Sequence, residues 1–327
     1  MLFVSQLPIT SHLPILLPSP FVIAGPTASG KSALAIALAL AQGQTHVVNA
    51  DPFQAWHGMD VLTAQPTAKE RAAVPHHLYG VLAPDTDRDA VGFAGLVQHS
   101  LVSLAKQSQQ ALVVSGSGLY LRSLFRGLDP GIPPADASLR AQLEALSLSE
   151  LLEKLHRLDP EEYTLIDRNN PRRVVRAVEI CLLTGKTVSS LRQSRNQPQQ
   201  DTSAQKSEPV QPQGIWLDWD SDALKKRIKS RAAAMLSPQL RDELAKLDSI
   251  CLSSTARQTL GLDIARAWRD GKLSATEAET ALAIRTWQYA KRQRTWFRKT
   301  TDLLPLAVSE FDTVDTLTES IFAIFGT

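Results

Sequence analysis

Cysteine is almost missing from this chain: there are two in 327 residues, Cys181 and Cys251, far apart and with no histidine at ligand spacing. That excludes a disulfide framework and a Cys/His zinc site, and it fits a reducing compartment such as the cytoplasm. Long apolar runs are missing too, so no segment is expected to span a membrane. Neither sign of charge dominates. Lys and Arg total 35 against 33 Asp and Glu, a net charge of +2, so any nucleic-acid surface must come from local clustering. The opening stretch MLFVSQLPITSHLPILLPSP has neither the basic start nor the unbroken apolar centre of a secretory signal, and it has no arginine to favour organelle targeting. Residues 1–20 read as a loose leader. The chain as a whole is 43% hydrophobic and 21% charged, the balance of a globular protein with two domains or one domain carrying a large insertion.

What is present begins with GPTASGKS, Gly25 to Ser32. The pattern G-x-x-x-x-G-K-[ST] bends the backbone so that its N–H groups curl around phosphate. Gly25, Pro26, Thr27, Ala28, Ser29, Gly30, Lys31 and Ser32 form this cradle, with Lys31 reaching the outer phosphate and Ser32 offering a hydroxyl to Mg2+. The flanks are those the motif needs. FVIA (Phe21 to Ala24) reads as a buried strand, and SALAIALALAQ is rich in helix formers, which sets a helix N-terminus against the anion. The motif does not say whose phosphates it holds.

From Phe21 to about Leu128, short apolar runs alternate with helical ones, the pattern of a parallel α/β sheet. THVVNAD (Thr45 to Asp51) is a second strand ending in a carboxylate. ALVVSGSGLYLRSLFRGL (Ala111 to Leu128) is a third strand, a glycine turn and a helix. Ligands gather at the carboxyl ends of parallel strands, so the cradle, Asp51 and Ser115 to Gly118 should share one site. The organisation expected is a first part of the core at 21–133, a helical region at 134–193, a polar, disordered insertion at 194–213 and a return to the core with basic helices at 214–327. Beyond GIWLDWD (Gly214 to Asp220) no further strand is read.

Basic residues cluster in three places. Arg172, Arg173 and Arg176 fall in the first turns of a helix; Lys225, Lys226, Arg227, Lys229 and Arg231 follow in LKKRIKSRAAAML. RTWQYAKRQRTWFRK (Arg285 to Lys299) interleaves Trp287, Tyr289, Trp296 and Phe297 with six basic residues and no acid. Aromatics among arginines suit stacking on bases and contact with phosphates, or they are the buried stripe of an amphipathic helix with only its basic face free. The adjacent His76 and His77 point in divergent directions and have no partner ligand; they read as structural or RNA-facing, as does His57.

Six segments in order resemble the tRNA dimethylallyltransferases, also called tRNA isopentenyltransferases: the cradle, DPFQAWHGMDVLTAQP, VPHHL, GSGLYL, RRVVRAVEICLLTG and AKRQRTWFRK. The resemblance runs from Phe21 to Lys299. It implies a P-loop NTPase-like α/β fold and transfer of a dimethylallyl group from its diphosphate to N6 of the adenine 3′ of the anticodon, in a monomer with Mg2+ and without a membrane. Asp51 is then the general base for the amine, and Lys31, Thr27 and Arg227 or Arg231 steady the departing diphosphate. The anticodon stem-loop falls to Asp51, Pro52, Phe53 and Gln54, to Ser117, to Arg172, Arg173, Val174, Val175 and Arg176, and to Arg257, Gln258, Thr259, Leu260, Gly261 and Leu262. The chain departs from the pattern at Pro52, Trp56, His57, Leu62 and Gln65 and in RQTLGLDIARAW, which bears on the RNA contacts. A kinase using ATP in the same cradle and a catalytically idle RNA-binding homologue are the competing readings.

Overall fold

The computed structural model describes residues 19–87, 89–126, 133, 136–196, 213–300 and 303–326. Contacts divide the chain into two units, Met1–Arg126 with Val210–Thr327, and Gly127–Pro209. The first unit is built on six strands: β1 (Phe21–Ala24), β2 (Thr45–Asn49), β3 (His76–His77), β4 (Gln110–Ser115), β5 (Gln213–Trp219) and β6 (Leu304–Val308). They pair in parallel in the order β3-β2-β4-β1-β5-β6. The strands anticipated at Phe21, Thr45, Ala111 and Gly214 are all present. Two were not foreseen, and β6 corrects the expectation that no strand follows β5.

Strands covered on both faces need apolar residues at every position, because each face meets its own layer of helices. Val22, Ala24, Val48 and Val113 point into one core, shared with Phe93, Leu121 and Phe297. Phe21, Ile23, Val47, Leu112 and Val114 point into the other, shared with Leu34, Leu38, Leu224, Ile228 and Ile321. Gly214 opens β5 beside β1, where a Cβ would stand 2.1 Å from the Val22 carbonyl oxygen. Only glycine lets the two backbones approach there.

The second unit is helical, with helices at Ala137–Glu144, Leu148–Leu158, Pro160–Leu165, Pro171–Thr184 and Val188–Asn196. Leu143, Leu151, Leu155, Val174 and Val178 form its core. The buried Glu179 accepts hydrogen bonds from Arg140 (2.8 Å) and Arg176 (2.5 Å), so this interior charge is paired twice. Residues 194–196 and 213, expected within the insertion, belong instead to the helix Val188–Asn196 and to β5. Residues 197–212 and 1–18 lie outside the described residues. Cys181 is buried, Cys251 is exposed and both are free. Among the described residues, no helix is long and apolar enough to cross a membrane.

Candidate active site

The cradle joins β1 to α1 (Lys31–Gln42), as the sequence predicts. Gly30 caps α1 at φ 89°, a left-handed backbone that favours glycine. Side chains from three distant elements brace the loop. Trp219 Nε1, at the end of β5, donates to the Ser29 carbonyl at 2.9 Å. Both arginines named from the resemblance lie on the helix Ser221–Met235, one turn apart. Arg231 Nη1 donates to Thr27 Oγ1 (2.9 Å), and Arg227 Nε donates to the Ala28 carbonyl (2.9 Å) while its guanidinium lies 4.6 Å from the centre of the Trp219 ring. Thr27 N–H is taken by Gln293 Oε1 at 2.9 Å.

Asp51 stands just past β2, beside the cradle. Its backbone is pinned by Asn49, whose Oδ1 accepts from Asp51 N–H (2.8 Å) and whose Nδ2 donates to the Asp51 carbonyl (3.0 Å). Its carboxylate accepts Phe53 N–H at 3.1 Å and the N–H of Gly116. Burial pushes this carboxyl above the usual carboxylate range, against Lys31, the two N–H groups and Arg231, which pull it down. Lys31 meets the mirror-image situation. Burial lowers its ammonium to about 8, with Asp51 opposing and Arg231 assisting, while its Nζ donates to the Pro26 carbonyl at 2.8 Å. Taking charge out of water dominates for both partners, so the open site weakens both ions.

Both groups line a cavity of about 600 Å3. Its polar wall holds Thr27 to Ser32, Asp51, Arg227 and Arg231; its apolar wall holds Phe53, Leu62, Met235, Leu260, Leu282 and Tyr289. Gln54 also lines it, donating through Nε2 to the carbonyls of Thr63 (3.2 Å) and Ala64 (2.8 Å) at the end of the short helix Asp60–Thr63. That helix is in turn capped by the buried Glu243, which accepts Val61 N–H at 2.7 Å and Leu62 N–H at 3.0 Å.

Of the stretch 257–262, Thr259 and Leu260 reach the cavity. Arg257 bonds the Leu252 carbonyl, Gln258 bonds the Ser254 carbonyl, and Gly261 and Leu262 pack inward. Ser117 is held on the turn after β4 by Ser115 and does not line the cavity; Pro52 does not line it either. Arg172, Arg173 and Arg176 lie in the second unit, around a depression with Asn170 and Arg192. Val174 and Val175 are buried in that unit's core, so contact through their side chains is excluded. The departures Trp56 and Leu62 are core side chains, and Gln65 is buried with its Nε2 on the Trp56 carbonyl. His77 Nε2 meets His46 Nδ1 at 2.8 Å, and His76 Nδ1 lies 2.7 Å from the Val74 carbonyl: a structural pairing. In the basic aromatic stretch the buried-stripe alternative fits better. Phe297 stacks on Trp216, Arg294 and Arg298 pair with Asp218, and Arg285 pairs with Asp263.

Sequence reasoning missed Gln293, Tyr289 and Trp219 as site residues. The first two stand inside AKRQRTWFRK and its approach, so a motif marked the region without saying which side chain turns inward.

Of the hydroxyls lining the cavity, Ser32 is the one the phosphate-loop motif offers to a divalent cation, and the Asp51 carboxylate lines the same cavity. No group of three or more His, Cys, Asp or Glu among the described residues could hold a metal. Such a site suits a hard ion that keeps several waters and arrives with phosphate oxygens.

The chain matches the family model described as IPP transferase over residues 54–300, and that of isopentenyl transferase over residues 19–76. It is 40% identical over 289 residues to a tRNA dimethylallyltransferase of Jannaschia sp., spanning 86% of this chain and 93% of that one. Against a tRNA dimethylallyltransferase of Geobacter metallireducens it is 34% identical over 289 residues, spanning 86% and 90%. Among solved structures, the full-length tRNA isopentenylpyrophosphate transferase of Bacillus halodurans superposes with a TM-score of 0.65 at 29% identity, covering 93% of this chain and 94% of that one. The class these define, with the parallel sheet and its phosphate loop, is a prenyl transferase of P-loop NTPase-like fold. The chain belongs to the IPP transferase family.

Proposed function

We propose that the protein transfers the dimethylallyl group from dimethylallyl diphosphate to N6 of the adenine 3′-adjacent to the anticodon in tRNA, giving isopentenyladenosine. The observation that carries this reading is one cavity with a phosphate cradle, a buried carboxylate and an apolar wall together. The wall suits a five-carbon chain. Asp51 suits an amine nucleophile that must lose a proton, whereas a kinase would need a hydroxyl or phosphate acceptor there. As the bond from the donor's C1 to its diphosphate oxygen breaks, the N6–C1 bond forms and Asp51 takes the amine proton. Lys31, Thr27 with Arg231, and the loop amides hold the leaving diphosphate, and Arg227 closes the outer side. Mg2+, held by Ser32 and the diphosphate oxygens, would neutralise part of that charge. The target base has to leave its stack to enter a cavity of this kind, and Phe53, Gln54, Thr259 and Leu260 are the wall it would meet. The stretches 172–176 and 257–258 are offered to the anticodon stem-loop through their polar side chains.

The test incubates the protein, Mg2+ and unmodified tRNA with labelled dimethylallyl diphosphate or labelled ATP. Isoprenoid label should enter tRNA with one diphosphate released per transfer; in the same assay Asp51→Asn should fall by about 10²-fold or more while still binding tRNA. Label taken only from ATP would put the kinase reading first.

A further inference from the structure

Gln293 is buried in the long helix Ala275–Thr300 and bonds the two halves of the site at once. Its Oε1 accepts Thr27 N–H of the cradle at 2.9 Å, and its Nε2 donates to the Gly116 carbonyl at 2.7 Å. Gly116 in turn donates its N–H to Asp51. The amide has one workable orientation, because turning it over would set oxygen against the Gly116 carbonyl and NH2 against Thr27 N–H. The turn is also closed to side chains. A Cβ on Gly116 would stand 2.7 Å from Asp51 Oδ2 and 2.8 Å from Gln293 Nε2. A continuous path therefore runs from the phosphate loop through one side-chain amide to the carboxylate.

We infer that Gln293 is a positioning residue that keeps the cradle and Asp51 in one register, so that leaving group and proton acceptor are set against the same substrate pair. It touches neither reacting atom. Thr27 N–H, which a phosphate loop could turn toward its anion, is here committed to Gln293. The placement of the loop is thus referred to Gly116 and Asp51 rather than to bound phosphate alone. The inference rests on the transferase reading for its kinetic arm, and not for its structural one.

Two substitutions test it. Gln293→Met keeps the shape and removes both hydrogen bonds. It should lower kcat by about 10²-fold, the cost of a misplacement of roughly an ångström, with little change in either KM. Gln293→Glu has a conditional outcome. With its carboxyl protonated it donates to the Gly116 carbonyl and accepts Thr27 N–H, as the amide does; ionised, it sets charge against that carbonyl and against Asp51. The groups facing Asp51 are Lys31 from α1, Arg231 from the helix Ser221–Met235, Tyr79 after β3, Tyr120 after β4 and Tyr289 from the long helix. Tyr289 also faces residue 293, and the introduced charge shifts these neighbours, so the ratio to wild type reports the coupled change at the site. The ratio of Gln293→Glu to wild-type kcat should stay near one at about pH 5 and fall about tenfold or more by about pH 8.5, as the introduced carboxyl ionises from a value above its usual ~4.3. The gap in Tm between Gln293→Glu and wild type should widen over the same interval. Any buried carboxyl ionises at a cost, so Gln293→Met decides between the roles: filling space alone leaves its kcat and Tm at the wild-type values, and that result overturns the inference, as does a Gln293→Glu ratio that stays flat with pH. If wild type transfers nothing, the proposed function falls and the Tm of Gln293→Met against wild type still decides the register.

Discussion

Burial disfavours the charged form of both Lys31 and Asp51, and the direction of those shifts says what the open cradle is prepared to receive. A lysine brought down to about 8 is in part neutral at mildly alkaline pH, unlike a surface lysine near ~10.4. An amine is nucleophilic when neutral. Lys31 should therefore react with an acylating reagent ahead of the exposed lysines, with a midpoint near pH 8. A diphosphate beside it favours the ammonium, so inorganic diphosphate should suppress the reaction and move the midpoint upward. Mass spectrometry of peptides labelled across a pH series measures both; a midpoint at the surface-lysine value would remove the electrostatic account of the cradle. Lys31 and Asp51 were legible in sequence because each sits in a short motif at the end of an apolar run. Gln293 was not, since its partner Thr27 is 266 positions away and nothing local distinguishes an inward-turned glutamine from a solvated one.

Among elements, the readable strands were β1, β2, β4 and β5, whose apolar runs are long enough to be buried on both faces. β3 escaped because it is two histidines, polar and brief, held in the sheet by pairing with Val47 and Val48. β6 escaped because LPLAV carries Pro305, which has no N–H for a ladder. At the edge of a sheet that loss is tolerated, and β6 is the edge strand next to β5. The short helix Asp60–Thr63 shows a different limit. Four residues cannot hold a helix alone, and its capping carboxylate, Glu243, comes from 181 positions downstream. Glu243→Ala leaves two N–H groups without an acceptor and removes the anchor of the carbonyls that hold Gln54. It should cost about 2–3 kcal/mol in urea unfolding, the scale of hydrogen bonds to a charged group, while Glu243→Gln costs less. An alanine variant as stable as wild type would show that the cap carries no weight.

For the molecule as a whole, the alternation of strand-like and helical runs in the sequence separates a sheet-bearing part from a helical part at 133/134, whereas contacts divide the chain at Arg126 and Val210. The stretch 197–212, outside the described residues, is rich in glutamine, serine and proline in sequence. Replacing residues 197–212 by a short Gly/Ser bridge should leave Tm and transfer near wild type, and a large drop in either measurement would give that stretch a role in folding or in RNA contact. The basic stretch 285–299 could not be apportioned in advance. Whether an arginine faces RNA or Asp218 depends on β5, far away in the chain.

The central strand pairs on one side with β4 and on the other with β5, and the cradle that follows it is braced by Trp219, Arg227, Arg231 and Gln293. A chain emerging from the ribosome thus carries the complete phosphate-loop motif once Ser32 is made, yet lacks every one of those braces until Trp219 and the residues after it follow. Synthesis runs at about 5–20 residues per second, which leaves roughly 5–20 seconds between the end of β4 and the end of β5 with β1 paired on one side only. During that interval the unpaired edge of β1 is open to chaperones or to a wrong strand, and a truncated product ending before Gln213 would carry the motif without the braces that shape it.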